Sequence, residues 1–217
     1  MRTQFDEQLQ TLHLELIRMG GLCEQVISLC AEMLLQEENL YEEISKTEEK
    51  IDRKERDIEN LCLKLLLQQQ PVARDLRMIS AALKMISDLE RIGDQAADIA
   101  ELSPYLADCN ASGKVHISDM AKAVVEMVTK SVEAFVQSDT EMAKEVMKAD
   151  DTVDSLFEQI KNELMDLIRK GGVDAKAALD LLMSAKYFER IGDHAVNVAE
   201  WVEYSVTGVH KSDANFK

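Results

Sequence analysis

The chain is poor in residues that interrupt helices, since it contains only 2 prolines and 8 glycines among 217 residues. Aromatic side chains make up only 5% of it, which disfavours a β-sheet protein because strands are enriched in aromatic and β-branched residues. Leu, Ala, Glu, Lys and Met are abundant instead, and all five are strong helix formers. These shortages predict an all-α fold.

Basic residues and long apolar runs are also scarce. The 25 Lys and Arg residues face 41 Asp and Glu, for a net charge of −16. This balance argues against nucleic-acid binding, because a basic face is needed to displace the counterions of phosphates. The opening segment MRTQFDEQLQTLHLEL is charged and amphipathic, unlike a signal peptide or a membrane span. We therefore expect a cytoplasmic protein that does not insert into the membrane.

The cysteines give no sign of a metal site. No two of the four have CxxC spacing, so a thiolate metal site and a disulfide framework are both poor interpretations.

Apolar residues recur at spacings of three and four along most of the chain, which is the period of an amphipathic helix. Three such stripes precede a segment rich in Asn, Ser and Gly, with Pro71 opening the third, and three more follow it. Short connections between successive helices favour antiparallel neighbours. We predict two similar three-helix antiparallel bundles, at 1–107 and 115–217, joined by a linker at 108–114.

The two halves share sequence as well as pattern. The string DLERIGDQAADIAE at 88–101 matches YFERIGDHAVNVAE at 187–200, an offset of 99 residues, and ERIGD is identical in both. Upstream, KTEEKID at 46–52 matches KADDTVD at 148–154, an offset of 102 residues. Two motifs that recur in the same order at nearly constant separation indicate the duplication of one helical unit.

Each repeated motif contains two acids four residues apart, which places both carboxylates on one face of a helix. On the third and sixth helices the first acid also falls on the apolar stripe. A buried carboxylate must be paired, protonated or bound to a cation, because unpaired burial is costly. Antiparallel packing would bring the acids together as two sets of four. The sets are Glu48, Asp52, Glu90 and Asp94 in the first half, and Asp150, Asp154, Glu189 and Asp193 in the second.

Oxygen ligands without Cys or His suit hard or borderline cations such as magnesium, manganese or iron. Four further polar residues on the same helix faces are placed to extend the two sites: Asp98, Glu101, Asn197 and Glu200. An ion-pair network is the open alternative, because Arg91 and Arg190 lie inside the motifs and could pair with carboxylates of a neighbouring helix.

The chain lacks the motifs that usually accompany hydrolytic chemistry. No Glu-x-x-His, HExxH, GxSxG or glycine-rich phosphate loop occurs in it. A metal-dependent phosphohydrolase could hold two cations on clustered carboxylates, but no nucleophile or recurring His base accompanies the repeated acids. We therefore expect no enzymatic activity, with this phosphohydrolase and a metal-free structural interaction module as the alternatives.

The repeated strings resemble the PhoU family of phosphate-transport accessory and regulatory proteins. So do FDEQLQTLHLELIRMGGLCEQVI near the start and PVARDLRMISAALKMISDLERIGDQAADIAE in the first half, and the resemblance covers essentially the whole chain. It implies two three-helix bundles, with multinuclear clusters of iron, manganese, zinc or magnesium at the eight repeated carboxylates. Asp98 departs from the family pattern, which often has Asn there, and its extra charge would change the number or affinity of metals at the first site.

The resemblance also implies a function. A member of this family would act as a regulatory adaptor of phosphate homeostasis. It would restrain the high-affinity phosphate ABC transporter and keep the phosphate-starvation (Pho regulon) two-component response off when phosphate is abundant. The implied partners are the transporter ATPase subunit, a phosphate-sensing histidine kinase and a second copy of the chain in a homodimer. The protein would then work in the cytoplasm, at the inner face of the membrane through its partners.

Overall fold

The computed structural model describes residues 2–36, 39–69, 71–102 and 115–209. The described residues form six α-helices and no strand. The helices are α1 Arg2–Gln36, α2 Tyr41–Gln69, α3 Ala73–Leu102, α4 Ile117–Gln137, α5 Thr140–Arg169 and α6 Ala175–Thr207. The predicted all-α fold and its two three-helix bundles, α1 to α3 and α4 to α6, are confirmed. The predicted linker at 108–114 lies outside the described residues.

The connection between α4 and α5 shows how the local sequence turns the chain. Ser138 takes the left-handed conformation at φ 55°, and its backbone N–H donates to the carbonyl of Phe135. The carboxylate of Asp139 then accepts hydrogen bonds from the backbone N–H groups of Glu141 and Met142, which satisfies the first turn of α5. Two residues therefore suffice to fold α4 and α5 into an antiparallel pair.

The two bundles pack against each other through α1 with α4 and α3 with α6. Their buried apolar side chains form a single continuous core. Gly20 lets α1 approach α4, since a Cβ atom added there would lie 3.1 Å from Cγ2 of Val132. Cys23 and Cys30 are buried free thiols of α1 whose Sγ atoms donate to backbone carbonyls of α3. Among the described helices, none offers the apolar length that crossing a membrane would require.

Candidate functional site

The first acidic quartet, Glu48, Asp52, Glu90 and Asp94, lies where α2 packs antiparallel to α3. Burial raises the pKa of Glu48, and the charges of Asp52 and Asp94 add to the effect. Burial likewise raises the pKa of Glu90, with Asp94 as the next cause and a smaller contribution from the neighbouring Glu55. These couplings reach across the helix pair, so the four carboxylates share one electrostatic environment.

The second acidic quartet, Asp150, Asp154, Glu189 and Asp193, occupies the same place between α5 and α6. Burial, followed by the charges of Asp154 and Asp193, raises the pKa of Asp150 to about 6. The Oδ1 atom of Asp150 is buried without a hydrogen-bond partner. A buried acceptor without a hydrogen-bond partner is costly, and Oε2 of Glu189 is in the same position. Among the quartet carboxylates whose pKa is raised, Asp150 shows the largest change.

A glycine of the ERIGD motif lies beside each quartet. A Cβ atom added at Gly93 would lie 3.2 Å from Cδ1 of Ile51. One added at Gly192 would lie 3.4 Å from Cγ1 of Val153 and 3.5 Å from Oδ1 of Asp150. The glycines thus let the two helices of each pair approach closely, and the contact is tighter in the first half.

Two arginines pair with the first quartet. Nη1 of Arg91 lies 2.9 Å from Oδ2 of Asp94, and its Nε lies 3.7 Å from Oε2 of Glu90. Nη2 of Arg56 lies 3.3 Å from Oδ2 of Asp52. The two arginine side chains are 60% and 67% exposed, so water screens these pairs. Each pair joins residues of the same helix, whereas the ion-pair alternative called for pairs between neighbouring helices.

One lysine pairs with the second quartet. Nζ of Lys186 contacts the carboxylate of Glu189 and lies 5.4 Å from the ring centroid of Phe157 on α5. The Glu189 side chain is only 14% exposed. The charge of Lys186 also opposes the burial and the Glu189 charge that raise the pKa of Asp193. The second quartet therefore carries a cation held between an aromatic ring and a largely buried carboxylate.

Side chains beside the quartets join the two halves. Oδ1 of Asp88 on α3 accepts a hydrogen bond of 3.0 Å from Nδ2 of Asn197 on α6, and lies 3.0 Å from Nδ1 of His194. A residue of the second half also acts on the first. Burial raises the pKa of Asp98 on α3, and the positive charge of Arg190 on α6 opposes this effect. Asn197, which the sequence places to extend the second site, thus donates its amide N–H to a residue of the first half.

In the structure, the eight predicted carboxylates form two groups of four whose charges act on one another. Within the described part of the chain, no three Asp, Glu, His or Cys side chains converge closely enough, as arranged here, to enclose a metal ion. Sequence reasoning missed four neighbours of the quartets: Glu55, Asp88, Phe157 and Lys186. Glu55 aligns with Phe157, Asp88 with Tyr187, and Ser87 with Lys186. A comparison of the aligned positions at which the two halves differ would therefore have identified these four residues from the sequence.

The internal repeat and the acidic quartet in each half define the chain as a duplicated three-helix-bundle protein. The family model described as the PhoU domain matches it at residues 16–103 and 117–202, once in each half. The chain belongs to the PhoU family.

Relatives and solved structures match over nearly the whole chain. A phosphate-specific transport system accessory protein PhoU homolog from Clostridium acetobutylicum is 40% identical over 215 residues, covering 95% of this chain and 96% of its own. The homolog from Deinococcus radiodurans is 35% identical, covering 96% and 99%. The crystal structure of PhoU from Pseudomonas aeruginosa matches with a TM-score of 0.86 at 31% identity, covering 94% of this chain and 100% of that one. The likeness therefore extends over both halves.

Proposed function

We propose that this chain is a regulatory adaptor of phosphate homeostasis. It restrains high-affinity phosphate uptake and keeps the phosphate-starvation response off while phosphate is abundant. The observation that carries this proposal is the whole-length likeness to relatives named as accessory proteins of the phosphate-specific transport system. A solved relative from Streptococcus pneumoniae, with a TM-score of 0.85 at 25% identity, is described as a phosphate transport system regulatory protein. A shared fold alone would not define a function, so the proposed role rests on the sequence identity across both halves.

The proposed adaptor acts by contact and catalyses no reaction. Its partners are the ATPase subunit of a phosphate ABC transporter and a phosphate-sensing histidine kinase. It works as a homodimer in the cytoplasm and reaches the inner face of the membrane through these partners. The accessory and regulatory descriptions of its relatives support this role.

The proposal also assigns a metal cluster to each quartet. Asp150 supports it, because a bound cation would satisfy its partnerless Oδ1 atom and favour the charged form that burial disfavours. The eight carboxylates supply only oxygen donors, which suits magnesium, manganese or iron better than a structural zinc. Because no three candidate ligands among the described residues converge on one point as they are arranged, the carboxylates would have to turn toward a shared ion. The bound metal would then neutralise the clustered charges and cross-link α2 to α3 and α5 to α6.

A second candidate is a metal-free interaction module. The ion pairs of Arg91 with Asp94, of Arg56 with Asp52 and of Lys186 with Glu189 favour it, since they already balance part of the acidic charge. In that case arginine and lysine would offset the charge of the quartets along their own helices, apolar packing would hold the bundles together, and a chelator would leave the thermal stability unchanged.

A reporter experiment tests the regulatory role. The chain is expressed in a bacterium that lacks its own PhoU-family protein and carries a reporter driven by a phosphate-starvation promoter. We expect repression in high phosphate to be restored by the wild-type chain. The Asp94→Ala, Asp193→Ala double variant should restore it poorly. Asp166→Ala removes an exposed acid of α5 that pairs with Arg169, and this control should behave as wild type.

Two results would contradict the proposal. The first is an unrepressed reporter in cells that contain the wild-type chain at the level of the lost protein. The second is metal-dependent turnover of a general phosphatase substrate by the purified chain that Asp94→Ala abolishes, which would favour the phosphohydrolase.

A further inference from the structure

Lys186 is held at the second quartet by two neighbours. Its Nζ atom contacts the Glu189 carboxylate and lies over the ring of Phe157 at 5.4 Å from the centroid. An ammonium group over an aromatic face is attracted by the ring as well as by the carboxylate. The Glu189 side chain is only 14% exposed, so water screens this arrangement less than it screens a pair on the open surface.

The first half lacks this arrangement. Its matching positions hold Ser87 in place of the lysine and Glu55 in place of the ring. Glu55 adds a carboxylate whose charge raises the pKa of Glu90. Arg91 and Arg56, which pair with the first quartet, are more than half exposed and can move into water at little cost. The two quartets thus differ in how firmly a built-in cation is held.

We propose that Lys186 competes with metal ions for the second quartet and so weakens its binding of a divalent cation. This inference rests on the metal binding proposed above. The ammonium group and a metal ion both require the oxygens of Glu189 and both balance the charge of its neighbours. A metal ion that enters must therefore displace Lys186 from the carboxylate and from the ring of Phe157.

The direct test isolates the second quartet in a background that carries Asp52→Asn and Asp94→Asn. Manganese chloride is titrated into this metal-free protein by calorimetry, with and without Lys186→Met, which keeps an unbranched side chain on the Phe157 ring but removes the charge. We expect the Lys186→Met variant to bind Mn²⁺ about tenfold more tightly, because the change removes one unit charge that competes with the metal beside the carboxylate.

Lys161 offers a matched control. It lies on α5, its side chain is 40% exposed, and its Nζ atom pairs with Oε1 of Glu158 at 2.6 Å. The Lys161→Met change therefore removes one equally exposed lysine and one ion pair, but away from the quartet. It should leave the affinity for Mn²⁺ unchanged.

A reverse experiment tests whether a lysine and an aromatic ring are enough to weaken metal binding at the other quartet. In a background that carries Asp154→Asn and Asp193→Asn, the paired changes Glu55→Phe and Ser87→Lys move the ring and the lysine to the first quartet. We expect the first quartet to lose about tenfold in affinity for Mn²⁺.

A second readout follows the lysine itself. Acetylation of the wild-type chain by a limiting reagent is mapped by mass spectrometry with and without Mn²⁺. We expect metal to increase the modification of Lys186 severalfold and to leave Lys161 unchanged.

The possible outcomes are distinguishable. Tighter binding in Lys186→Met but not in Lys161→Met, with greater Lys186 reactivity on adding metal, supports the competition. Equal affinity of the Lys186→Met variant and its parent overturns it while leaving the metal sites intact. If the wild-type chain and all variants bind no Mn²⁺, both this inference and the proposed metal binding are wrong.

Discussion

The two acidic quartets occupy the same position in their bundles but are neutralised in different ways. In the first quartet, exposed arginines pair with Asp52 and Asp94 along their own helices. In the second, a partly buried lysine contacts Glu189, while Asp150 keeps a buried oxygen without a partner. The repeat has therefore preserved the carboxylates and the helix packing, whereas the surrounding cations and aromatic rings have diverged.

The comparison of the two halves shows which residues helix packing requires and which residues adjust the charge around each quartet. The glycine and the acid pair recur because two antiparallel helices must approach closely and place four carboxylates between them. The side chains around them are free to vary, since a cation can approach from several neighbouring positions. We therefore expect changes to the carboxylates to affect both halves alike, and changes to their neighbours to affect one half.

Metal removal should give the greatest change in stability. A cation bound at 100 times its dissociation constant adds about 2.7 kcal/mol to the free energy of unfolding, which for a chain of this size corresponds to about 5–10 °C in melting temperature. We expect a chelator to lower the melting temperature of metal-bound protein by that amount. The Asp94→Ala, Asp193→Ala double variant should show no such response, and an unchanged wild-type melting curve would favour the metal-free module.

The second-largest change in stability should come from breaking the contact between the two halves. Asp88→Ala removes the acceptor of Asn197 and the partner of His194, and we expect a loss of about 1–2 kcal/mol in the free energy of unfolding, measured with urea. Tyr187→Phe at the matching position of the second half is the comparison and should have little effect. Equal losses at the two positions would mean that the halves are joined symmetrically.

Acidification should distinguish the quartets in metal-free protein. The pKa of Asp150 is raised to about 6, so its folded form binds a proton more readily than the unfolded chain does. At neutral pH the charged carboxylate of Asp150 lowers the stability of the folded protein, and this penalty disappears as the pH falls through about 6 and the group binds a proton. We expect the free energy of unfolding of the wild type to rise relative to that of the Asp150→Asn variant as the pH is lowered from 7 to about 5. A constant difference between their thermal unfolding curves would contradict this assignment.

The smallest difference in stability between the two halves should come from replacing the glycine beside each quartet. Replacing a helical glycine by alanine gains about 1 kcal/mol of helix propensity, but Gly93→Ala would press on Ile51 at 3.2 Å. Gly192→Ala meets its nearest atom, Cγ1 of Val153, at 3.4 Å. We expect the second variant to be more stable than the first by about 0.5–1 kcal/mol in urea unfolding of metal-free protein. The reverse order would mean that α2 yields more easily than α5.

Periodicity and the repeat predicted most of the architecture. The spacing of three and four located six helices, and the i, i+4 acids such as Glu90 and Asp94 predicted which carboxylates share a face. The contacts of Asp88 with His194 and of Lys186 with Phe157 could not be predicted in this way. They join residues far apart in sequence or break the repeat, so they depend on how α3 meets α6 and α5 meets α6 in three dimensions.

The metal content of the purified protein decides whether the two acidic quartets are metal sites. Untagged protein, purified without chelator, is analysed by elemental mass spectrometry beside the Asp94→Ala, Asp193→Ala double variant and the Asp166→Ala control. We expect several equivalents of a transition metal or magnesium per chain in wild type and control, and their loss in the double variant. Metal-free wild-type protein that folds as stably as the double variant would contradict it and reduce both quartets to ion-pair networks.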